Sequence, residues 1–122
     1  LIFKIDEHPL FKRDGVNVSL EVPITVSQAI LGDTIKIPTL DGKTTDLDVS
    51  AGTQSGTVKR IRGKGIKYLR KDIYGDMFVK LIVDIPKDLT LRQKAALKDM
   101  NETLAKAKYE QVEKYNKLIK GL

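Results

Sequence analysis

Cysteine is absent from this 122-residue chain, which excludes disulfide frameworks and thiolate zinc sites within it. Histidine occurs once, at His8, so no His-rich metal site is available and no metal is expected. No apolar run approaches the roughly 20 residues a helix needs to cross a bilayer. No charged-then-apolar leader opens the chain either. Four prolines and nine glycines are ordinary numbers. With 41% hydrophobic and 31% charged residues, the profile is that of a folded, membrane-free domain rather than of disorder. The length suits one domain and is short for two. The opening Leu1-Ile2-Phe3-Lys4-Ile5 reads as a strand already under way, so the chain is expected to be a piece of something longer.

The formal charge is +6, which makes nucleic acid a partner to weigh. Residues 1–88 carry 14 basic and 12 acidic side chains, whereas residues 89–122 carry 8 and 4. Within the first part, Lys59 to Lys71 holds seven positive charges and no negative one.

Residues 1–88 read as β-rich and residues 89–122 as helical, and these are the expected domains. Val16, Val18, Leu20, Val22 and Ile24 fall on one face at period two. Pro23 has no amide to donate, so this strand should end there or form an edge there. Thr25 to Gly32 has both marks of a compact helix. Thr25 caps the start with Gln28 reaching back, and Gly32 supplies the left-handed stop. Asp41-Gly42 between alternating segments predicts a two-residue type I′ hairpin joining Thr34–Leu40 to Lys43–Val49. Thr57–Ile61 and Asp76–Ile85 are further strands, with Gly63, Gly65 and Gly75 breaking up the stretch between. Thr90 and Gln93 repeat the capping logic before a long terminal helix. Leu97, Met100, Leu104, Ala107, Val112, Tyr115, Ile119 and Leu122 give it an apolar stripe. Glu102→Lys106, Glu110→Lys114 and Glu113→Lys117 are favourable pairs on its other faces. Asn101 is a candidate break, so one bent helix and two shorter ones both remain open. A helix this long outruns a small β-domain and needs another surface for Val112, Tyr115 and Ile119. A partner chain is the simplest cover.

Candidates for chemistry are few. His8 has no serine–acid arrangement or second histidine beside it, so a turn or packing role is expected. Gly52 to Gly56 leads into β-branched Thr57 and Val58 rather than into a helix, which argues against a phosphate cradle. Asp46 and Asp48 share one strand face with no third group to support them, as on a charged strand edge. The basic run interleaves Ile61, Ile66, Tyr68 and Leu69, only one of them aromatic, whereas single-strand binding usually needs more stacking platforms. A small basic β-domain that binds RNA through Lys59, Arg60 and Arg62 is the alternative reading. An enzyme is not expected, because nothing assembles nucleophile, base and oxyanion donors.

Five segments in order resemble one known family. Glu7-His8-Pro9-Leu10-Phe11-Lys12-Arg13-Asp14-Gly15 resembles its E-H-x-x-F-x-R-x-G stretch. Val22-Pro23-Ile24-Thr25 with Gln28 to Gly32 resembles V-P-I … Q-A-x-L-G. Ile37 to Gly42 resembles I-P-T-L-D-G. Ala51 to Gly56 with Arg62-Gly63-Lys64-Gly65 resembles A-G-T-Q-S-G … R-G-K-G. Gly75-Asp76, a strand and Pro86 match G-D … P. The family is that of the DnaJ-type co-chaperones, and the likeness is to their second C-terminal β-domain with its terminal helix.

The resemblance implies a two-layer, mostly antiparallel, sandwich-like β-domain with one short internal helix and a long C-terminal helix. It implies a cytoplasmic protein of the stress response that binds unfolded or extended polypeptide and needs no cofactor. It also implies that full-length relatives deliver clients to a DnaK-type ATPase and form homodimers through the C-terminus. The stripe residues for that role are Leu104, Val112, Tyr115 and Ile119. The J-domain's His-Pro-Asp is missing, since His8-Pro9 is followed by Leu10, and the cysteine-rich zinc repeats are missing too. Neither ATPase stimulation nor zinc binding is therefore expected of these residues. In the sister β-domain the comparable strands border a shallow groove for extended apolar peptide. That makes Val18, Leu20, Val22, Ile35 and Ile37 the candidate peptide-binding residues, with plain core packing as the competing account.

Overall fold

The computed structural model describes residues 9–122. The strand expected over Leu1–Ile5 and the proposed roles of His8 lie outside the described residues. Among those described, the elements run β1 (Lys12–Asp14), β2 (Asn17–Thr25), α1 (Val26–Leu31), β3 (Asp33–Pro38), β4 (Thr44–Val49), β5 (Thr57–Ile61), β6 (Met77–Asp84), α2 (Leu91–Leu104) and α3 (Glu110–Lys120). The chain divides into two compact units, Leu1–Ile85 and Pro86–Leu122.

The alternation around Val18 organises the first unit. Val18, Leu20 and Ile24 of β2 are buried, while Glu21, Pro23 and Thr25 face outward. Beside β2 runs β6 in parallel register, Val18 opposite Met77 and Leu20 opposite Val79. The buried Met77, Val79 and Leu81 continue the same apolar face. β1 and β5 flank this pair in antiparallel register, giving a four-stranded sheet in the order β1-β2-β6-β5. Parallel neighbours need a crossover, and all of Val26 to Asp76 supplies it. Within that crossover β3 and β4 pair antiparallel as a second sheet. Ile37, Leu47 and Val49 from this second sheet join the β2 and β6 residues, Ala29 of α1, Phe11 and Leu40 in one apolar core. The fold is thus mainly β, in two sheets sharing one core, as expected.

Pro23 lies inside β2 without breaking a ladder. The Val18 amide donates to the Asp76 carbonyl (3.0 Å), so even-numbered amides of β2 aim at β6 and position 23 aims away. β1 pairs only as far as Ser19, so among the described residues β2 is an edge at Pro23, as the missing donor requires.

The β3–β4 turn differs from the two-residue hairpin expected at Asp41-Gly42. The Thr39 amide donates to the Lys43 carbonyl (2.9 Å), closing a three-residue loop. Only Gly42 takes positive φ (83°), whereas a type I′ turn needs it at both central positions. The Asp41 carboxylate explains the choice: it accepts the Lys43 amide (3.1 Å) and the Thr39 hydroxyl, an arrangement that stitches a wider turn.

The capping box expected on α1 is formed. The Gln28 amide donates to Thr25 Oγ1 (3.1 Å), and the Thr25 amide donates to Gln28 Oε1 (2.9 Å). The far end of α1 is closed by the Ala51–Gly56 loop, where the Gly52 and Thr53 amides donate to the Ala29 carbonyl (2.8 and 2.9 Å). The same loop reaches β6 through the Gly56 amide on the Leu81 carbonyl and the Val83 amide on Ser55 Oγ. Its glycines therefore serve a latch between helix and sheet, consistent with turn rather than phosphate chemistry.

In the second unit Thr90 and Gln93 form the expected box on α2. The single long helix does not form: α2 ends at Leu104 and α3 begins at Glu110. The break lies beyond Asn101, in Ala105–Tyr109, where the Ala107 amide turns back to the Leu104 carbonyl (2.9 Å). Neither proline nor glycine marks that stretch. The ion pair there joins Lys108 to Glu110 (3.3 Å), and Glu102 and Lys106 fall on opposite sides of the α2 terminus.

Candidate functional site

Between β5 and β6 the chain makes an excursion, residues 62–76, which carries most of the basic run. Its base is a tight neck. The Gly65 amide donates to the Gly75 carbonyl and the Gly75 amide to the Ile66 carbonyl, both at 2.8 Å. The Ile66 amide donates to Val16 (2.7 Å), tying the neck to the residue that precedes β2. Both glycines are buried, and a Cβ on Gly65 would stand 2.5 Å from the Val16 oxygen. Glycine is required here for close backbone approach, not for turn geometry.

Asp76 anchors the neck from the other side. Its carboxylate accepts the Gly63 amide (3.1 Å) and Arg60 Nε (2.6 Å), and its own amide donates to Asn17 Oδ1 (2.8 Å). The Gly63 amide first, and then Arg60, hold its pKa below the ordinary carboxylate value. Arg60 also lies over the Phe78 ring, 5.9 Å from its centroid. Of the three cations behind an RNA reading, Arg60 is thus already engaged and Lys59 is half-buried, leaving Arg62.

Beyond the neck the excursion folds back as a hairpin, with the Tyr68 amide on the Ile73 carbonyl (2.7 Å) and Lys67 bridging to Tyr74. At its tip Arg70 takes a positive φ of 63°. The tip exposes Tyr68, Leu69, Ile73 and Tyr74, with Leu69 at 87% exposure. Tyr68 and Leu69 are apolar residues already noted within the basic run, and Ile73 and Tyr74 lie just beyond it. The signal was present as Tyr68-Leu69 and Ile73-Tyr74 flanking Arg70-Lys71.

The five candidate peptide-binding residues gather in or against one core. Val18, Leu20 and Ile37 are buried, with 3% exposure or less, so packing accounts for them and their side chains reach no surface. Val22 and Ile35 pack against that core and remain partly exposed. The four helix residues do not share one helix. Leu104 is the last residue of α2, half-buried, while Val112, Tyr115 and Ile119 are exposed on α3. Those three follow one another at three- and four-residue steps, so they share one face, and neither α2 nor α3 contains a buried residue.

Asp46 and Asp48 have cross-strand partners, Lys36 Nζ (3.0 Å) and Thr34 Oγ1 (3.0 Å) respectively. No cluster of metal-ligating side chains occurs among the described residues, and no helix among them is long and apolar enough to cross a membrane.

The family model for the DnaJ C terminal domain matches residues 1–86. The chain belongs to the DnaJ C-terminal domain family. Relatives named Chaperone protein DnaJ include one from Ruminiclostridium cellulolyticum, 47% identical over 108 residues, which are 88% of this chain and 28% of the relative. One from Caldicellulosiruptor saccharolyticus is 48% identical over 107 residues, 88% of this chain and 27% of its own length. One from Clostridioides difficile is 40% identical across all 122 residues, 32% of its own length. The chain thus spans under a third of these relatives. The segments carrying the likeness are architectural: within this DnaJ domain they form the α1 capping box, the Asp41 turn, the latch from α1 to β6, and the Gly65–Gly75 neck.

Proposed function

We propose that this DnaJ C-terminal domain is a non-catalytic chaperone segment that holds non-native polypeptide and pairs with a second copy through α3. In the whole cytoplasmic protein, such a pair would bring clients to a DnaK-type ATPase. The observation that supports the pairing is the α3 face bearing Val112, Tyr115 and Ile119, exposed in a unit whose helices bury no residue. Isolated helices shorter than about 12 residues are marginal in water, so an amphipathic helix of this length draws its stability from a covered face. A second copy covers it by two-fold symmetry, each face meeting its equivalent. The pair then presents two β-units to one unfolded chain, which raises avidity with no new contact type. Within each β-unit, Val22 and Ile35 are the apolar positions left partly open to an extended client, with Val18, Leu20 and Ile37 supporting them from the core.

Sedimentation velocity on the whole chain, on Tyr115→Asp and on a version ending at Ala105 tests this reading. A dimer that becomes a monomer in both variants supports it. A whole chain that sediments as a monomer at high concentration removes the pairing.

A further inference from the structure

The basic hairpin is unused by the reading above. Arg62, Lys64, Arg70 and Lys71 form no ion pair among the described residues, and the hairpin's own pair, Lys67 with Asp72, is long at 3.9 Å and exposed. Lys64 stands near Asp41, whose pKa is lowered mainly by the Thr39 hydroxyl and the Lys43 amide, with the charges of Lys43 and Lys64 adding less. Arg70 and Lys71 thus stand between two exposed apolar pairs, Tyr68-Leu69 and Ile73-Tyr74, with Arg62 and Lys64 further back toward the neck. The neck that holds this tip is fixed by buried glycines, the Val16 carbonyl and Asp76. The tip is thus presented on a base that needs little further ordering on binding.

We propose that the tip of the Arg62–Asp76 hairpin is a docking surface for extended polypeptide segments in which acidic residues alternate with large apolar ones. This rests on the client-holding reading and names the class of client segment that one face of the domain selects. Charge complementarity fixes the sign of the partner. Leu69 and Ile73 decide between polypeptide and nucleic acid. Aliphatic side chains at the tip bury well against leucine or phenylalanine and offer nothing to a phosphodiester, and two tyrosines make a poor stacking row. The hairpin also continues directly from β5, which among the described residues is one edge of the four-stranded sheet, and an edge strand pairs with an extended peptide backbone. The tip uses none of the residues given the client-facing role, Val22 and Ile35, so a client with both kinds of segment engages the domain twice.

Fluorescence anisotropy on the whole chain supplies the test, with three dye-labelled peptides. One carries glutamates among leucines and phenylalanines, one carries lysines in place of the glutamates, and one is neutral. The acidic peptide is expected to bind more tightly than the lysine peptide, and added salt is expected to narrow the gap. Arg70→Glu with Lys71→Glu is expected to weaken the acidic peptide by about five- to tenfold. The same variant should strengthen the lysine peptide, a reversal that no loss of folding mimics, and leave the neutral peptide unchanged. Leu69→Ser is expected to weaken the acidic and lysine peptides alike.

Equal binding of the acidic peptide by wild type and the double variant would overturn the proposal while leaving client holding intact. Failure of the whole chain to bind any of the three peptides would overturn both. A uridine oligonucleotide that competes with the acidic peptide at lower concentration, with a steep salt dependence, would assign the hairpin to nucleic acid instead.

Discussion

Gly75 lies against the Val16 carbonyl with no space between them for a side chain. The contact joins the end of the basic hairpin to the residue before β2, and Gly65 meets the same oxygen from the other arm of the neck. Gly65 and Gly75 are thus both set by one carbonyl far away in sequence.

Gly75→Ala should therefore destabilise the β-unit by about 2–3 kcal/mol, because the clash is with backbone that cannot rotate away. Gly63→Ala is the control. Its φ of 75° costs an alanine about 1 kcal/mol, yet open space surrounds it. Urea unfolding of both variants checks the order, and equal losses would show that the neck tolerates a shift.

The acid limb of stability should depend on Asp76. Its folded-state acidity is strengthened by the Gly63 amide and Arg60, so the folded protein binds fewer protons than the unfolded chain near the carboxylate range. That contribution is fully present above the unfolded carboxylate value of about 3.9 and is lost as pH falls through the lower folded value. Asp41, lowered by Thr39 and Lys43, acts in the same direction. Thermal melts from about pH 6 to about pH 2 should show a shallower acid decline in Asp76→Asn than in wild type. Parallel curves would mean that the Asp76 contacts carry no net protonation linkage.

Local chemistry was legible in the sequence and tertiary demands were not. The alternation through Val18, Leu20 and Ile24 and the two boxes at Thr25–Gln28 and Thr90–Gln93 depend on residues within a few positions of each other, and they form as read. The parallel pairing of β2 with β6 involves segments separated by most of the domain, and no spacing announces it. The Asp41 turn widened because a threonine hydroxyl outside the dipeptide competes for its carboxylate. The α2–α3 break contains no residue that ends a helix by itself. Burial of Val18, Leu20 and Ile37 followed from the side on which the second sheet lies, which period-two alternation leaves undetermined.

Truncation after Asp88 should leave the β-unit folded with a nearly unchanged melting temperature. The core cluster is drawn from Phe11 to Leu81, and its partly buried neighbours reach only to Val83. Among the described residues its members all precede α2. Differential scanning calorimetry of the whole chain and the truncation gives the comparison at equal protein concentration. A transition that falls by many degrees would show that pairing through the helices contributes to the stability of the β-unit.

Threonine substitutions separate the core from the client-facing role given to Val22 and Ile35. Val18→Thr keeps shape but places a hydroxyl at a site with 1% exposure, where it has no water, and should cost about 1–3 kcal/mol. Val22→Thr and Ile35→Thr sit where part of the side chain already meets solvent, so their cost should stay near or below about 1 kcal/mol. Their effect should appear instead in client holding, read as slower suppression of aggregation of a chemically unfolded protein, because each removes apolar surface from the partly open strip. The two readouts must move apart: stability for Val18, holding for Val22 and Ile35. If Val22→Thr and Ile35→Thr suppress aggregation as well as wild type does, the partly open strip is only the rim of the core, and the hairpin tip remains as the domain's polypeptide contact.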